Sequence, residues 1–305
     1  MPNKVLCVAH SSLFFISRQL LLVKDDYFVS MREEPRLGMI RVSFDEDACT
    51  LTLTVNGYPP LVLDISAPEE ETKPSFSVSA RALICLPTPT KNLVTMHMFC
   101  IRTASECLLN GQCKKVRKFS YKAVEVSEEA SEWFRNFLKS DKIRLVRILL
   151  DQATIDRGLD GTASVAFQDR SSFQVLSKAS LDELVSKLPP GTDIRRRNFR
   201  PTLFVEGCEA HSEDHWVRYR IAEAEMAFLE RTRRCIMTTV DQDTGIRSEK
   251  EPLVTLRTYR VDKSKLGLER YDSKPLLGIG SIHVKDGRIK IGDEVWAVVA
   301  PKPLL

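Results

Sequence analysis

The sequence predicts an α+β fold in which strands outnumber helices. Runs at 39–44 and 49–55 alternate apolar with polar residues and are rich in β-branched side chains, as half-buried strands are. Asn56-Gly57 follows the second run and is a strong hairpin signal. Further short strands are expected in the second half of the chain, at 202–205, 236–240, 282–284 and 289–296.

Only three segments predict amphipathic helices. One begins after Ser127, which is placed to cap it, and its apolar residues recur at helical spacing. A second begins with the capping box of Ser180 and Glu183. A third begins near Pro252, because the fixed φ of proline suits the first position of a helix. The expected fold is therefore predominantly β, with a few packing helices.

The chain of 305 residues is long enough for two domains. We place the boundary near the polar loop at 156–161, so that 1–150 form a β-rich N-terminal region and 151–305 a second domain. Residues 96–112 follow neither a helical nor a strand period, and an irregular insertion is expected there.

Composition excludes several classes of protein. With 43% hydrophobic and 28% charged residues the chain is globular, and a net charge of +4 is too small to predict a nucleic-acid partner. Eight cysteines are too few for a disulfide scaffold, so reduced thiols are expected. Near the start, Arg18 and Gln19 separate two short apolar runs. Neither run reaches the roughly 20 residues of a membrane helix, and we interpret the second, 20–23, as a buried strand.

Common catalytic and metal motifs are absent from the sequence. It has no Walker A, Rossmann, H-E-x-x-H or G-x-S-x-G motif. His211 and His215 are spaced i,i+4, but the polar residues around them favour a solvated loop over a metal site. Cys100, Cys107 and Cys113 lack the C-x2-C spacing of zinc sites.

The segment Arg231-Thr232-Arg233-Arg234-Cys235 is the most unusual one in the chain. Nearby positive charge lowers the pKa of a thiol below about 8.5, so Cys235 is a candidate thiolate. In an extended backbone Arg233 and Cys235 share one face and Arg234 lies on the other. Taken alone, the composition favours an exposed basic turn followed by an inert buried cysteine.

A second basic stretch, 195–200, contains four arginines. By itself it is compatible with a solvated turn, a nucleic-acid patch or an anion site. Phe199 is its only aromatic residue, which is poor support for single-strand nucleic-acid binding. If the two basic stretches converge, their guanidinium groups suit a phosphorylated ligand.

Several short motifs lie along the chain in a fixed order. They are R-x-E-P-R-L at 32–37, D-R-S-S-F at 169–173, N-F-R-P at 198–201, R-C-x-x-T-T-V-D-x-D-T-G at 234–245 and E-P-L-x-x-L-x-x-Y-R at 251–260. This order resembles the MOSC-domain family, and within it the mitochondrial amidoxime-reducing components. The resemblance implies a MOSC β-barrel domain preceded by a β-rich N-terminal MOSC region.

The resemblance also implies a molybdenum cofactor and its binding residues. Cys235 would be the catalytic residue and the protein ligand to molybdenum, since a thiolate is a soft ligand. The pterin and its phosphate would be held by Arg170, Ser171, Arg200, Arg233 and Arg234. The family's activity would be the reduction of N-hydroxylated compounds, such as amidoximes and hydroxylamines. Electrons would come from a b-type cytochrome and its NADH-dependent reductase, at the cytosolic side of the mitochondrial outer membrane.

The chain departs from the family pattern at several positions. The P-V-K-S element is missing, and Thr202, Thr232 and Gln242 stand where the family has Asn, Cys and Pro. The missing front also removes the family's membrane anchor, so a soluble cytoplasmic protein is expected if that anchor is truly absent. Two alternatives therefore stay open: a sulfurase-like MOSC module that binds the cofactor, and a non-catalytic member of the family.

Overall fold

The computed structural model describes 5–9, 20–25, 27–45, 47–64, 76–77, 96–99, 118–148, 154–156, 162–164, 171, 173–248 and 250–305. Of the predicted site residues, Arg170 lies outside these ranges, as do Cys100, Cys107 and Cys113.

Eighteen strands lie in the described residues. They are β1 (Val5–Ala9), β2 (Leu20–Lys24), β3 (Tyr27–Val29), β4 (Arg41–Asp45), β5 (Thr50–Thr54), β6 (Leu61–Asp64), β7 (Phe76–Ser77), β8 (Met96–Phe99), β9 (Lys118–Glu125), β10 (Ile143–Ile148), β11 (Thr154–Asp156), β12 (Thr162–Ser164), β13 (Phe173–Ser177), β14 (Leu203–Glu206), β15 (Trp216–Ile221), β16 (Ala224–Arg233), β17 (Leu276–Lys285) and β18 (Glu294–Val299).

Helices are fewer in the same part of the chain. The α-helices are α1 (Glu128–Leu138), α2 (Lys178–Lys187), α3 (Arg196–Phe199), α4 (Leu253–Tyr259) and α5 (Lys265–Tyr271). Short 3-10 helices cover Pro35–Met39, Ser212–His215 and Ile236–Thr239. Among the helices described, none has the length and apolar character needed to cross a membrane. The predicted strand-dominated α+β fold is confirmed.

The chain forms two compact units, which we call the barrel unit and the N-terminal unit. The barrel unit comprises Met1–Phe14, Pro35–Met39 and Arg170–Leu305, and the N-terminal unit comprises Phe15–Glu34 and Ile40–Asp169. The predicted division of the sequence into 1–150 and 151–305 stays a prediction.

In the barrel unit, seven strands follow one another in the order β1-β14-β13-β17-β16-β15-β18, and β18 pairs with β1 to close the sheet. Only β13 and β14 run parallel among these neighbours. Inward-facing side chains fill the centre; among them Val205, Tyr219 and Ile279 are at most 2% exposed. A second apolar cluster joins α2 and α4 to the outside of β14 and β17 through Leu184, Leu256 and other buried residues.

The N-terminal unit contains the strands predicted from alternation. Strands β4, β5 and β6 form an antiparallel sheet, and its inward residues Leu51, Leu53 and Leu63 are at most 5% exposed. A second sheet has the order β3-β2-β10-β9-β7, with β8 also paired to β9. Helix α1 packs on β10, and its predicted cap is present, since the Ala130 amide donates to Ser127 Oγ at 3.1 Å.

Two predicted strands are wrong, and the expected insertion at 96–112 stays a prediction. Residues 236–240 form mainly a 3-10 helix, because the Thr238 and Thr239 hydroxyls donate to backbone carbonyls three residues earlier, at 2.9 and 2.8 Å. Residues 289–291 form no strand; the last strand, β18, begins at 294. Within 96–112, Met96–Phe99 is a strand, and 100–112 lie outside the described residues.

Helix α2 begins earlier than its capping box predicts. Its cap is Ser177, whose Oγ accepts from the Ser180 amide at 3.1 Å. The Ser180 hydroxyl instead donates to Glu213 Oε1 at 2.8 Å. The local signal failed here because a buried carboxylate from a distant segment takes the hydroxyl that would have capped the helix.

The segment around His211 and His215 is not the predicted solvated loop. It contains the 3-10 helix Ser212–His215, in which Glu213 is 0% and Asp214 1% exposed. Asp214 accepts from Arg260 Nη2 at 2.6 Å, so its buried charge is paired. Among the described residues Glu213 forms no ion pair, and burial together with the neighbouring Asp214 raises the pKa of its carboxyl.

The Glu213→Gln variant is expected to gain stability relative to the parent protein as the pH rises. Because the pKa of Glu213 is higher in the folded protein than its ordinary value of 4.5, the parent loses stability as the pH rises from that value toward the folded-state pKa. Glutamine does not titrate, so the variant avoids this loss in the free energy of unfolding, which is up to about 1.4 kcal/mol per pH unit. Denaturant unfolding of both proteins at pH 4.5 and pH 7 measures the difference.

Asp214→Asn is the matched comparison. It leaves Arg260 without its anion and should destabilise the protein at both pH values, by about 3–5 kcal/mol for an uncompensated buried charge. A stability difference between Glu213→Gln and the parent that did not change with pH would contradict the neutral carboxyl.

Candidate functional site

Cys235 lies where β16 ends and the 3-10 helix Ile236–Thr239 begins. It is a free cysteine, half-buried, with an extended backbone at φ −133° and ψ −179°. Its carbonyl oxygen accepts both the amide and the hydroxyl of Thr238, at 3.0 and 2.9 Å. Its thiol does not cap the helix. The backbone is therefore fixed while the sulfur is left available.

Arg234, the preceding residue, points into the protein and is 5% exposed. Its Nε and Nη2 donate to the carbonyl oxygen of Leu277 at 2.9 and 2.5 Å, and its Nη1 donates to that of Phe199 at 3.1 Å. The guanidinium also lies over the Phe199 ring, 5.1 Å from its centroid. Burial lowers the pKa of Arg234 to about 9, which still leaves it charged at neutral pH.

Gly278 makes room for this guanidinium. Its φ is +71°, and a Cβ at this position would lie 2.3 Å from the Val175 carbonyl oxygen and 3.5 Å from Arg234 Nη2. Both the backbone conformation and the space therefore require glycine. Glycine here lets the backbone of β17 pack closely on the Val175 carbonyl of β13, next to Arg234.

The hydrogen bond from Arg234 to Phe199 brings the two basic stretches together. Arg200 directly follows Phe199, and Cys235 directly follows Arg234. Arg200 ends α3 in a left-handed conformation, φ 52°, with an exposed side chain. Such a conformation in a residue other than glycine persists only when its surroundings impose it. The Phe199 carbonyl is indeed held twice, by Arg234 and by Gln174 Nε2 at 3.0 Å.

Two amide side chains that sequence analysis did not single out reinforce this junction. Asn198 Nδ2 donates to the carbonyl oxygens of Thr238 and Val240, at 3.3 and 3.0 Å. Gln242 Nε2 donates to that of Arg197 at 2.9 Å. Gln242 is one of the positions where the chain departs from the family motif, and here it supplies a link that proline has no donor to make.

Three arginines of 195–200 make ion pairs or ring contacts within the barrel unit. Arg195 and Arg197 both pair with Asp243, and the Arg196 guanidinium lies 5.1 Å from the centroid of the Phe204 ring. Arg200 is thus the member of this stretch whose position next to the Phe199 carbonyl links it to Cys235.

Beside Cys235, Arg233 is half-buried, and within the described residues its guanidinium makes no hydrogen bond or ion pair. The neighbouring Thr232 Oγ1 is buried and also has no hydrogen-bond partner in that part of the chain. By contrast, the Arg231 guanidinium is paired with the half-buried carboxylate of Asp262. Three arginines in four residues therefore have three different environments, and Arg233 is the one left without a partner.

Ser171 approaches the same strand as Arg234. A Cβ on Gly280 would lie 2.7 Å from Ser171 Oγ, so this serine occupies the space that the glycine leaves on β17. Gly278, which accommodates Arg234, is two residues away. Ser171 and Arg234 are thus anchored to one stretch of β17, and the assignment of Arg170 stays a prediction.

The arrangement combines a soft donor with positive charge. In the part of the chain described, no group of three or more His, Cys, Asp or Glu side chains could hold a metal ion on its own. A lone thiol beside guanidinium groups suits one coordination bond to a soft metal whose other ligands come with an anionic cofactor. Cys208 differs, because burial raises the pKa of its thiol.

Comparison with known proteins identifies the family to which the chain belongs. Residues 162–296 match the MOSC domain model, and MOSC domains are a family of molybdenum-cofactor-binding domains. Mitochondrial amidoxime reducing component 2 of Bos taurus is 32% identical over 286 residues, which cover 92% of this chain and 72% of the relative. Mitochondrial amidoxime-reducing component 1 of Homo sapiens is also 32% identical, over 91% of this chain and 71% of the relative.

A solved structure from Bordetella bronchiseptica covers 46% of this chain and 80% of its own, at 17% identity and a TM-score of 0.28. The identity and coverage of the curated relatives decide the assignment. The chain belongs to the mitochondrial amidoxime-reducing components, a family of MOSC-domain proteins.

Proposed function

We propose that this protein is a molybdenum-cofactor-dependent oxidoreductase that reduces N-hydroxylated compounds, with Cys235 as the protein ligand to the metal. One observation carries the proposal. The half-buried, free thiol of Cys235 is held next to the Arg200 segment by the hydrogen bond between Arg234 and Phe199. Family membership supports the reaction class.

The residues present fit the cofactor. Cys235 offers a thiolate without a competing capping role. Arg233, Arg200 and Ser171 are the groups that would hold the pterin and its phosphate, since guanidinium groups bind phosphate through charge-assisted hydrogen bonds. Arg170 joins them by resemblance. Arg234 would act differently, because its guanidinium already donates to two backbone carbonyls and so positions Cys235.

When bound, the cofactor supplies the two-electron redox chemistry. The chain would fix the sulfur through the two bonds from Thr238 to the Cys235 carbonyl, and would keep positive charge beside it through Arg233. The substrate class we propose is that of amidoximes and hydroxylamines. The proposed electron source is a b-type cytochrome with its NADH-dependent reductase, and the proposed location is the mitochondrial outer membrane, facing the cytosol.

Cys235→Ser is expected to abolish molybdenum binding and benzamidoxime reduction after reconstitution with the cofactor. Serine replaces the soft sulfur ligand with a hydroxyl that is rarely deprotonated. Molybdenum content and the rate of benzamidoxime reduction should therefore each fall by more than about tenfold. Cys49→Ser is the control, because Cys49 is also a half-buried cysteine outside any disulfide but lies in the N-terminal unit. Metal analysis and turnover with the cytochrome chain are the measurements. Full molybdenum content in Cys235→Ser would refute the assignment.

Arg233→Ala and Arg200→Ala should weaken cofactor retention, each by roughly tenfold, because each removes a charge-assisted contact of about 1.5–3 kcal/mol. The difference between each variant and the parent should shrink as ionic strength rises, because salt already screens a partly solvated electrostatic contact in the parent. Equilibrium dialysis followed by metal analysis at two salt concentrations measures it. Unchanged retention in both variants would count against the anion site.

Arg234→Gln should lower the free energy of unfolding by about 2–4 kcal/mol, since it leaves the buried carbonyls of Leu277 and Phe199 without their charged donor. Arg257→Gln, an exposed substitution on α4, should change it by less than about 0.5 kcal/mol. Denaturant unfolding compares the two. Equal stabilities would show that the guanidinium does not hold the junction.

A further inference from the structure

A cavity opens on the outer face of the barrel, where β15, β16 and β18 run side by side. Its volume is about 290 Å³, close to the lower end of the range for small-molecule sites, roughly 300–1,000 Å³. The side chains that matter for its chemistry are those of Arg218, Arg220, Glu225, Trp296 and Val298.

Strand register places these side chains on one face. Trp296 is directly opposite Arg220, and Val298 is directly opposite Arg218. Residues opposite each other in an antiparallel pair share a face, and so do residues two apart on one strand. The intervening Tyr219 points the other way, into the barrel core. Two guanidinium groups therefore stand beside an indole and a valine.

The apolar part of this face is exposed to solvent. Trp296 is 40% and Val298 64% exposed, and Val284, which also lines the cavity, is 44% exposed. The other two tryptophans, Trp133 and Trp216, are at most 9% exposed. An exposed tryptophan among other exposed apolar residues marks a binding surface more often than a lone surface residue does.

The two arginines that line the cavity form no ion pair with the described part of the protein. Within the described part of the chain, Arg218 and Arg220 make no side-chain hydrogen bond or ion pair. They lie two residues apart on one face, which separates their Cα atoms by about 7 Å, so the two positive charges repel each other. Glu225 is the one acidic residue lining the cavity, and the structure forms no ion pair between it and Arg220, directly opposite.

We propose that this cavity binds a small amphiphilic anion, a carboxylate joined to an apolar chain. The carboxylate would lie between Arg218 and Arg220, whose guanidinium forks match its two oxygens. The apolar chain would cover Trp296 and Val298 and so remove their exposed surface from water. Because the apolar side chains line a concavity, an inserted ligand fits this face better than a flat membrane surface does.

The cavity is separate from the Cys235 site. It lies at Glu225 and Met226, near the start of β16, whereas Cys235 follows the end of that strand, nine residues beyond Met226. At about 3.3 Å per residue the separation is roughly 25–30 Å. The proposal therefore stands independently of the function assigned to Cys235.

Titration of the full chain with octanoate tests the proposal. Octanoate should bind saturably, with a heat signal in calorimetry and a change in the fluorescence of Trp296, the one well-exposed tryptophan among the three. Octanol, which has a similar chain and no charge, should bind at least about tenfold more weakly. Trp296→Phe should remove the fluorescence change while the heat signal remains.

The double variant Arg218→Gln/Arg220→Gln should also bind octanoate at least about tenfold more weakly. Arg257→Gln/Lys263→Gln removes the same net charge at exposed positions outside the cavity and should bind like the parent. Thermal unfolding checks that both variants are folded. Absence of octanoate binding, equal binding of octanol, or parent-like binding by the Arg218/Arg220 variant would each overturn the proposal.

Discussion

A buried guanidinium, that of Arg234, joins three distant stretches of the chain by donating to the backbone carbonyls of Leu277 and Phe199. A charge taken out of water is costly unless its donors are satisfied, and here backbone oxygens satisfy it. The positions of both neighbours follow from this one contact. Cys235 comes directly after Arg234, and Arg200 directly after Phe199. The amide links of Asn198 and Gln242 hold the same segments together at neighbouring points.

Other buried charges in the barrel unit are paired in a similar way. Arg231 meets Asp262 and lies over the Tyr271 ring, and Arg260 meets Asp214. Each pair ties a loop or short helix outside the sheet to a strand or to a neighbouring helix. Removing one partner of such a pair costs more than the pair contributes, because the remaining charge stays buried. The ion pairs thus fix the positions of the loops and short helices around the barrel, while the apolar core stabilises the closed sheet.

Sequence patterns predicted the parts of the fold that depend on local chemistry. Strands β4 and β5 follow from alternation, and α1 follows from Ser127 and the apolar spacing after it. They failed where a distant group or a local side-chain hydrogen bond overrides the pattern. Ser180 has the signature of a helix cap, yet a carboxylate 33 residues away takes its hydroxyl. Residues 236–240 have strand-like composition, but two threonine hydroxyls bond back to the main chain and turn it.

For the site, the sequence identified a basic run and a cysteine but could not rank the arginines. Sequence alone does not distinguish the three arginines Arg231, Arg233 and Arg234. In the folded protein Arg231 is paired with Asp262, and Arg234 is buried against backbone carbonyls. Arg233 has no partner among the described residues. The hydrogen bonds of Asn198 and Gln242 also join residues far apart in the sequence, so no local motif predicts them.

The central claim is that the Cys235 sulfur is the protein's ligand to the cofactor. Thiol labelling with iodoacetamide, read peptide by peptide in a mass spectrometer before and after cofactor loading, tests it most directly. The account predicts that loading protects Cys235 from labelling while Cys49, also a half-buried cysteine outside any disulfide, labels to the same extent in both samples. Labelling of Cys235 that is unaffected by the cofactor would contradict the account.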